Sequence, residues 1–175
     1  MKKRVAVGIL APIGVLLAFF AVYLAFRVSF RRPYRSTVEG GGIPSALVYA
    51  VIKAESGFRE DAKSSAGAVG LMQIKPSTAE FICRRADISF YPTRLTEGEY
   101  NVTLGCLYLG YLFERFTQST ALAAYNAGEG TVREWLRDEN YSSDGATLVH
   151  IPYPETENYV KKVLKFQKIY EILYR

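Results

Sequence analysis

The chain has 175 residues, enough for one domain with a genuine core and too few for two comfortable ones. Its formal charge of +5 is unevenly spread: the first 35 residues hold seven of the 22 Lys and Arg and no acid, so the remainder sets 15 bases against 17 acids and carries −2. A nucleic-acid binder carries its basic stripe on the fold itself, whereas here the positive charge flanks an apolar run, so nucleic acid is excluded as a partner.

Residues 1–4 are a short basic terminus, and Val5 to Phe26 follows as about 22 residues without a charge, long enough to cross a hydrocarbon core of roughly 30 Å as a helix. A signal peptide would have a shorter apolar centre and a small-x-small cleavage site after it, and neither stands out, so a retained transmembrane anchor over 5–26 is expected. Lys2, Lys3 and Arg4 precede the run and Arg27, Arg31, Arg32 and Arg35 follow it, which argues against a buried core helix. With both flanks basic, the positive-inside rule gives no orientation. Residues 27–42 mix arginines with Gly40, Gly41 and Gly42 and read as a flexible tether, so the folded domain is expected over 43–175.

From Pro44 the pattern turns helical, with Leu47, Ala50, Val51 and Ala54 on one stripe and Gly57 placed to stop it. Residues 57–75 are rich in glycine and small side chains and read as a loop with tight turns. A second helix is expected from Pro76 to Thr78 onward. Thr96 and Glu99 have capping-box spacing ahead of a long central helix with Leu109, Leu112, Phe113 and Phe116 on one face. Thr120 to Asn126 is short and helical, Gly128 breaks it, and Thr131 with Glu134 repeats the capping-box spacing. The last segment places Tyr159, Val163, Phe166, Tyr170 and Leu173 on one side and lysines elsewhere. The expectation is a mostly α domain of about six helices, with room for a small hairpin in the loops.

Glu55 continues the apolar stripe of the first domain helix. A carboxyl there is costly unless its proton is kept or a partner is supplied. Burial and the negative end of the helix dipole both raise its pKa, which makes it a proton donor near neutral pH. On the stripe alone, the alternative is a Glu55 that turns to solvent or pairs with Lys53 or Arg59. The adjoining stretch Ala66 to Gln73, AGAVGLMQ, suits close backbone approach to a ligand, and Tyr125 and Asn126 set a phenol and an amide before a helix break. Cys83 and Cys106 permit one disulfide in an oxidising space; the plainer reading is two small buried apolar residues. No metal-ligand spacing and no cofactor motif is present, and the lone His150 gives no lead.

These pieces together resemble the soluble lytic murein transglycosylase type of domain in the goose-type lysozyme-like superfamily. The resemblance runs from about Ile43 to Tyr174. It rests on Glu55-Ser56-Gly57-Phe58, then Ser64 and Gly67-Ala68 leading to Gly70-Leu71-Met72-Gln73, and Pro76 with Thr78-Ala79. It continues through Asn101, Gly105 and Tyr108-Leu109, then Ala123-Ala124-Tyr125-Asn126-Ala127-Gly128, and closes on Ile151-Pro152, Pro154-Glu155-Thr156 and Tyr159-Val160. Two departures stand out: Ile43 replaces the acidic cap that often precedes the first helix, and the two cysteines fall where the family has no fixed ones.

The resemblance implies a lysozyme-like fold and cleavage of the β-1,4 bond between N-acetylmuramic acid and N-acetylglucosamine in peptidoglycan glycan strands, ending in 1,6-anhydromuramic acid. It implies Glu55 as the single catalytic acid and base, with the substrate's own N-acetyl group in place of a second carboxylate. Ser64, Met72, Gln73, Tyr125, Asn126 and Glu155 match its substrate-binding positions, and no metal or cofactor is implied. Glu60 and Asp61 fall on a loop and read as solvated. A wall substrate sets the orientation: amino terminus inside, domain on the extracytoplasmic side of the cytoplasmic membrane, single-pass. A hydrolytic muramidase on the same fold and a non-catalytic wall-binding module are the two alternatives.

Overall fold

The computed structural model describes residues 2–174, with side chains from residue 12 onward, and divides into two compact units, 1–33 and 34–175. The first is one helix, α1 (Lys2–Ser29), of 28 residues with Pro12 inside it. At about 1.5 Å per residue it is roughly 42 Å long, more than a hydrocarbon core requires. Over Pro12–Ser29 it is apolar enough to cross a membrane, and none of that window is buried within the protein.

The second unit is helical, with α2 (Arg35–Gly40), α3 (Ser45–Glu55), α4 (Pro76–Arg85), α5 (Gly98–Phe113), α6 (Gln118–Ala127), α7 (Glu129–Trp135) and α8 (Pro154–Leu173), plus a 3-10 turn at Pro92–Thr96. Among the described residues there is no strand. The hairpin expected in the loops is reduced to two isolated bridges, Lys63 with Val69 and Val69 with Ile74.

The stretch read as a tether is shorter than its composition suggests. α1 runs on to Ser29, and Arg35–Gly40 is helical, with Val38 fully buried. Gly41 lets this helix sit close to α5: a Cβ there would lie 2.7 Å from the Cys106 sulfur. The folded unit therefore starts at Tyr34, whose hydroxyl donates to Glu60. Glu60 is exposed, as its loop position suggests, and accepts that hydrogen bond.

The core forms where α3 meets α8. Leu47 through Ile52 are all buried, so α3 is enclosed on several sides, and its most extensive packing is on α8 through Val160, Val163 and Tyr170. Tyr49 and Tyr170 stack at 5.4 Å between ring centroids. α8 starts with Pro154 in the first turn and Glu155 and Glu157 near the positive end of the dipole. Neither expected capping box forms. α5 begins at Gly98 after Glu97, one residue past Thr96, and α7 begins at Glu129, upstream of Thr131. Phe116 lies beyond the end of α5 but is buried. Both cysteines are free and buried, and burial pushes the Cys106 thiol up to about 11.

Candidate active site

Glu55 is the last residue of α3, and the chain turns away immediately after it. Ser56 donates from its hydroxyl to the Ile52 carbonyl at 3.2 Å and accepts from the Phe58 N–H at 3.1 Å. Gly57 and Phe58 both take positive φ, 60° and 70°, which reverses the backbone within two residues. The carboxyl is left facing a cleft of about 370 Å³, which Ser64, Gln73, Tyr125, Asn126 and Glu155 also line. Five of the six substrate-binding positions expected from the resemblance therefore meet Glu55 in one hollow.

Met72 is the exception. It is fully buried, and a Cβ on Gly105 would lie 2.1 Å from its sulfur, so the thioether packs down onto α5 instead of into the cleft. Its backbone carries the contribution: the carbonyl accepts from the Tyr125 hydroxyl at 2.7 Å and the N–H donates to Asn101 Oδ1 at 2.8 Å.

The loop 57–75 is fixed from beneath by Asn101, a fully buried amide on α5 that also donates to the Val69 carbonyl at 2.9 Å and the Leu95 carbonyl at 2.8 Å. Gly70, at φ 81°, must be glycine, because a Cβ would stand 2.3 Å from the Asn101 amide nitrogen. Gln73 also has positive φ, 48°, and its amide donates to the carbonyls of Ala62 and Gly70 at 3.0 and 2.9 Å. Ser64 accepts the Ala68 N–H at 3.0 Å. These two side chains line the cleft and at the same time hold its wall.

Burial raises the Glu55 carboxyl from an ordinary 4.5 to about 7. Two neighbours on α8 oppose the rise. The Tyr159 hydroxyl is buried, has no partner in good hydrogen-bond geometry, and interacts with the Glu55 carboxyl, drawing its pKa down. Lys162 adds a weaker positive field; its ammonium donates to the Ala54 carbonyl at 2.8 Å, one residue before Glu55. Burial, and next the charge of Glu55, in turn lift the Tyr125 and Tyr159 phenols well above their usual range, so both stay protonated donors. On the far side, Thr156 donates to Asn126 Oδ1 at 2.8 Å and orients that amide.

The sequence motifs include Tyr108, Thr78, Asn101 and Tyr159 without a role, and they pass over Lys75 and Lys162. An amide on the apolar stripe of α5 was a usable signal for Asn101. Tyr159 had a place in the closing motif but no role, because it looks like any other aromatic on the stripe of α8.

Residues 34–147 match the family model described as Transglycosylase SLT domain. The chain is 35% identical over 150 residues to the soluble lytic murein transglycosylase of Escherichia coli K12, covering 83% of this chain and 23% of that protein. It is 31% identical over 153 residues to the membrane-bound lytic murein transglycosylase C of Haemophilus ducreyi, covering 74% of this chain and 42% of the relative. The crystal structure of the 70 kDa soluble lytic transglycosylase from Escherichia coli superposes with a TM-score of 0.73 at 33% identity, covering 84% of this chain and 25% of that one. The chain thus spans about a quarter of the length of the soluble relatives it matches.

Proposed function

The chain belongs to the transglycosylase SLT domain family, and from that membership we propose that it is a lytic transglycosylase of peptidoglycan with Glu55 as its only catalytic acid and base. The observation that carries the assignment is a carboxyl at the end of α3 that stays protonated up to about pH 7 while facing a 370 Å³ cleft. Glu55 donates its proton to the oxygen of the β-1,4 bond between N-acetylmuramic acid and N-acetylglucosamine. It then takes the proton of the muramic C6 hydroxyl as that oxygen attacks the anomeric carbon, which closes the 1,6-anhydro ring without water. An acid tuned near neutrality serves both half-steps, since neither protonation state is far from reach.

A retaining hydrolase of the usual kind places a second carboxylate roughly 5 Å from the acid as nucleophile. Glu155 is the other carboxylate lining the cleft; it stands exposed at the first turn of α8, where it orients substrate on the far side. The substrate's N-acetyl group is the partner for positive charge at the anomeric carbon. Ser64, Gln73 and Asn126 offer polar contacts along the groove, and Tyr125 binds the Met72 carbonyl that backs it.

α1 is the membrane anchor, single-pass, with the amino terminus in the cytoplasm and the unit from Tyr34 on the wall side, because the substrate lies there. The test of the activity is digestion of purified peptidoglycan followed by mass spectrometry. Wild type should release fragments with anhydro ends and Glu55→Gln should release none. Products one water heavier, with free reducing ends, would make the enzyme a hydrolytic muramidase. Binding without release would leave a wall-binding module.

A further inference from the structure

Two acids and one cation line the cleft: Glu55, Glu155 and Lys75. The activity assigned to Glu55 gives Lys75 no part. Its backbone is fixed on both sides. Ile74, the buried residue before it, exchanges both backbone hydrogen bonds with Val69, at 3.1 and 3.0 Å, and the Lys75 carbonyl accepts from the Ala79 N–H at 2.9 Å as α4 begins. Pro76 favours an extended backbone at Lys75, which has φ −70° and ψ 142°, so that Ile74 packs in the core and Lys75 stands at the cleft wall.

The charge of Lys75 is uncommitted. Two other cations reach the backbone beside Glu55 and are held there: Arg59 Nε donates to the Ser56 carbonyl at 3.2 Å and Lys162 Nζ to the Ala54 carbonyl at 2.8 Å. Lys75 is exposed, and its ammonium has no hydrogen-bond or ion-pair partner among the described residues. Nor does it tune the acid, since the cation that opposes the rise at Glu55 is Lys162. A fixed backbone, a flexible four-carbon stem and three free donors suit this ammonium to an anionic group on a ligand in the cleft.

A glycan strand offers such a group at one place. Its hydroxyl and N-acetyl groups are uncharged, whereas the lactyl ether on C3 of N-acetylmuramic acid ends in a carboxyl. That carboxyl is free in peptide-free strands; elsewhere it is amide-linked to a stem peptide, which brings carboxylates of its own. Both sources hang a carboxylate from the same substituent of the ring whose anomeric carbon reacts. Glu155, on the α8 edge of the cleft, repels it, and Lys75, on the α4 edge, attracts it, so the charge pattern also sets which way round the muramyl ring enters. We propose that Lys75 is a specificity-determining residue that binds the carboxylate carried on the C3 lactyl substituent of the muramyl residue at the scissile bond. The proposal rests on the glycan-cleaving reading above.

Its test does not depend on turnover. The full chain carrying Glu55→Gln, in detergent micelles, is titrated calorimetrically with a tetrasaccharide of alternating N-acetylglucosamine and N-acetylmuramic acid in three forms: with free lactyl carboxylates, with those carboxyls capped as neutral methylamides, and with stem peptides attached. A charged form should bind about fivefold more tightly than the neutral one. It is the free-acid form if the lactyl carboxylate itself is held, and the peptide form if a stem carboxylate is. Adding Lys75→Met, an uncharged side chain of similar length, should erase that preference and leave affinity for the neutral form unchanged, whereas Lys75→Arg should retain it. Equal affinities for all three forms before Lys75 is changed, or a preference that survives Lys75→Met, would overturn the proposal. So would an equal loss of affinity for charged and neutral forms in Lys75→Met, the mark of a merely structural role. Failure of the transglycosylase reading looks different: wild type would then release no anhydro ends from peptidoglycan, whatever Lys75 does to these affinities.

Discussion

Replacing Glu55 by Gln should stabilise the folded protein at pH 8 and leave its stability at pH 4 almost unchanged. The folded carboxyl titrates at about 7 because of burial, against 4.5 for the same group in water. A raised carboxyl pKa means that the folded state prefers the neutral form. Below pH 4.5 the group is protonated in both states and contributes no difference. Between pH 4.5 and 7 the unfolded chain has lost the proton and the folded protein still holds it, so stability falls by up to about 1.4 kcal/mol per pH unit. Above pH 7 the loss is complete, roughly 3 kcal/mol, and less to the extent that water still reaches the carboxyl from the cleft. Glutamine has nearly the same shape and no charge to desolvate. The assay is urea unfolding of wild type and Glu55→Gln in parallel from pH 4 to 9, followed by far-ultraviolet circular dichroism, since other titrating groups cancel in the difference. The gap should open between pH 5 and 7 and then stay level. A gap that is flat across the whole range would refute the argument that burial sets the proton affinity of Glu55. The same pKa sets the alkaline limb of kcat/KM near pH 7, because the acid must enter the reaction protonated.

Asn101→Ala should destabilise the second unit by about 3 kcal/mol, because it takes the partner from the buried Met72 N–H and the Leu95 carbonyl and leaves the Val69 carbonyl with the Ile74 N–H alone, and should also loosen the cleft wall. Thermal unfolding reads the first effect and a fall in kcat the second; a variant with wild-type stability would show that water takes over these contacts. Spheroplasts treated with external protease should lose the unit after Tyr34 and retain a membrane-embedded fragment containing α1, whereas complete protection would place the domain on the cytoplasmic side.

The parts of this fold that could be read from its sequence are those in which a local pattern coincides with the final packing. α3 and α8 bury most of the stripes that their periodicity marks out, Leu47, Ala50 and Val51 on one and Tyr159, Val163 and Tyr170 on the other, and Glu55 continues the first, where a carboxyl is conspicuous. What could not be read are contacts between segments far apart in the chain. Lys162 reaches the Ala54 carbonyl across 108 residues, and nothing in the period of α8 shows which of its aromatics faces Glu55. Met72 misled because small residues surround it, as they do ligand-facing loops, while its socket is formed by Gly105, 33 residues later. α2 was too short for any periodicity: six residues complete fewer than two turns, and composition pointed to a linker.

The arrangement around Glu55 also shows how a single carboxyl can serve two opposite steps. Burial alone would hold its proton too tightly to be given up readily, while a close cation would leave it ionised at neutral pH with no proton to give. Here the larger effect is burial, and two partial counterweights on α8 limit it: a phenol that is itself kept protonated, and a lysine whose ammonium is committed to a backbone carbonyl. Because both counterweights sit on α8, the main packing partner of the core helix that carries Glu55, the proton affinity of the acid is tied to the docking of these two helices. A helix pair that forms the stability core of the unit therefore also sets its chemistry, so the site tolerates little loosening of the packing behind it.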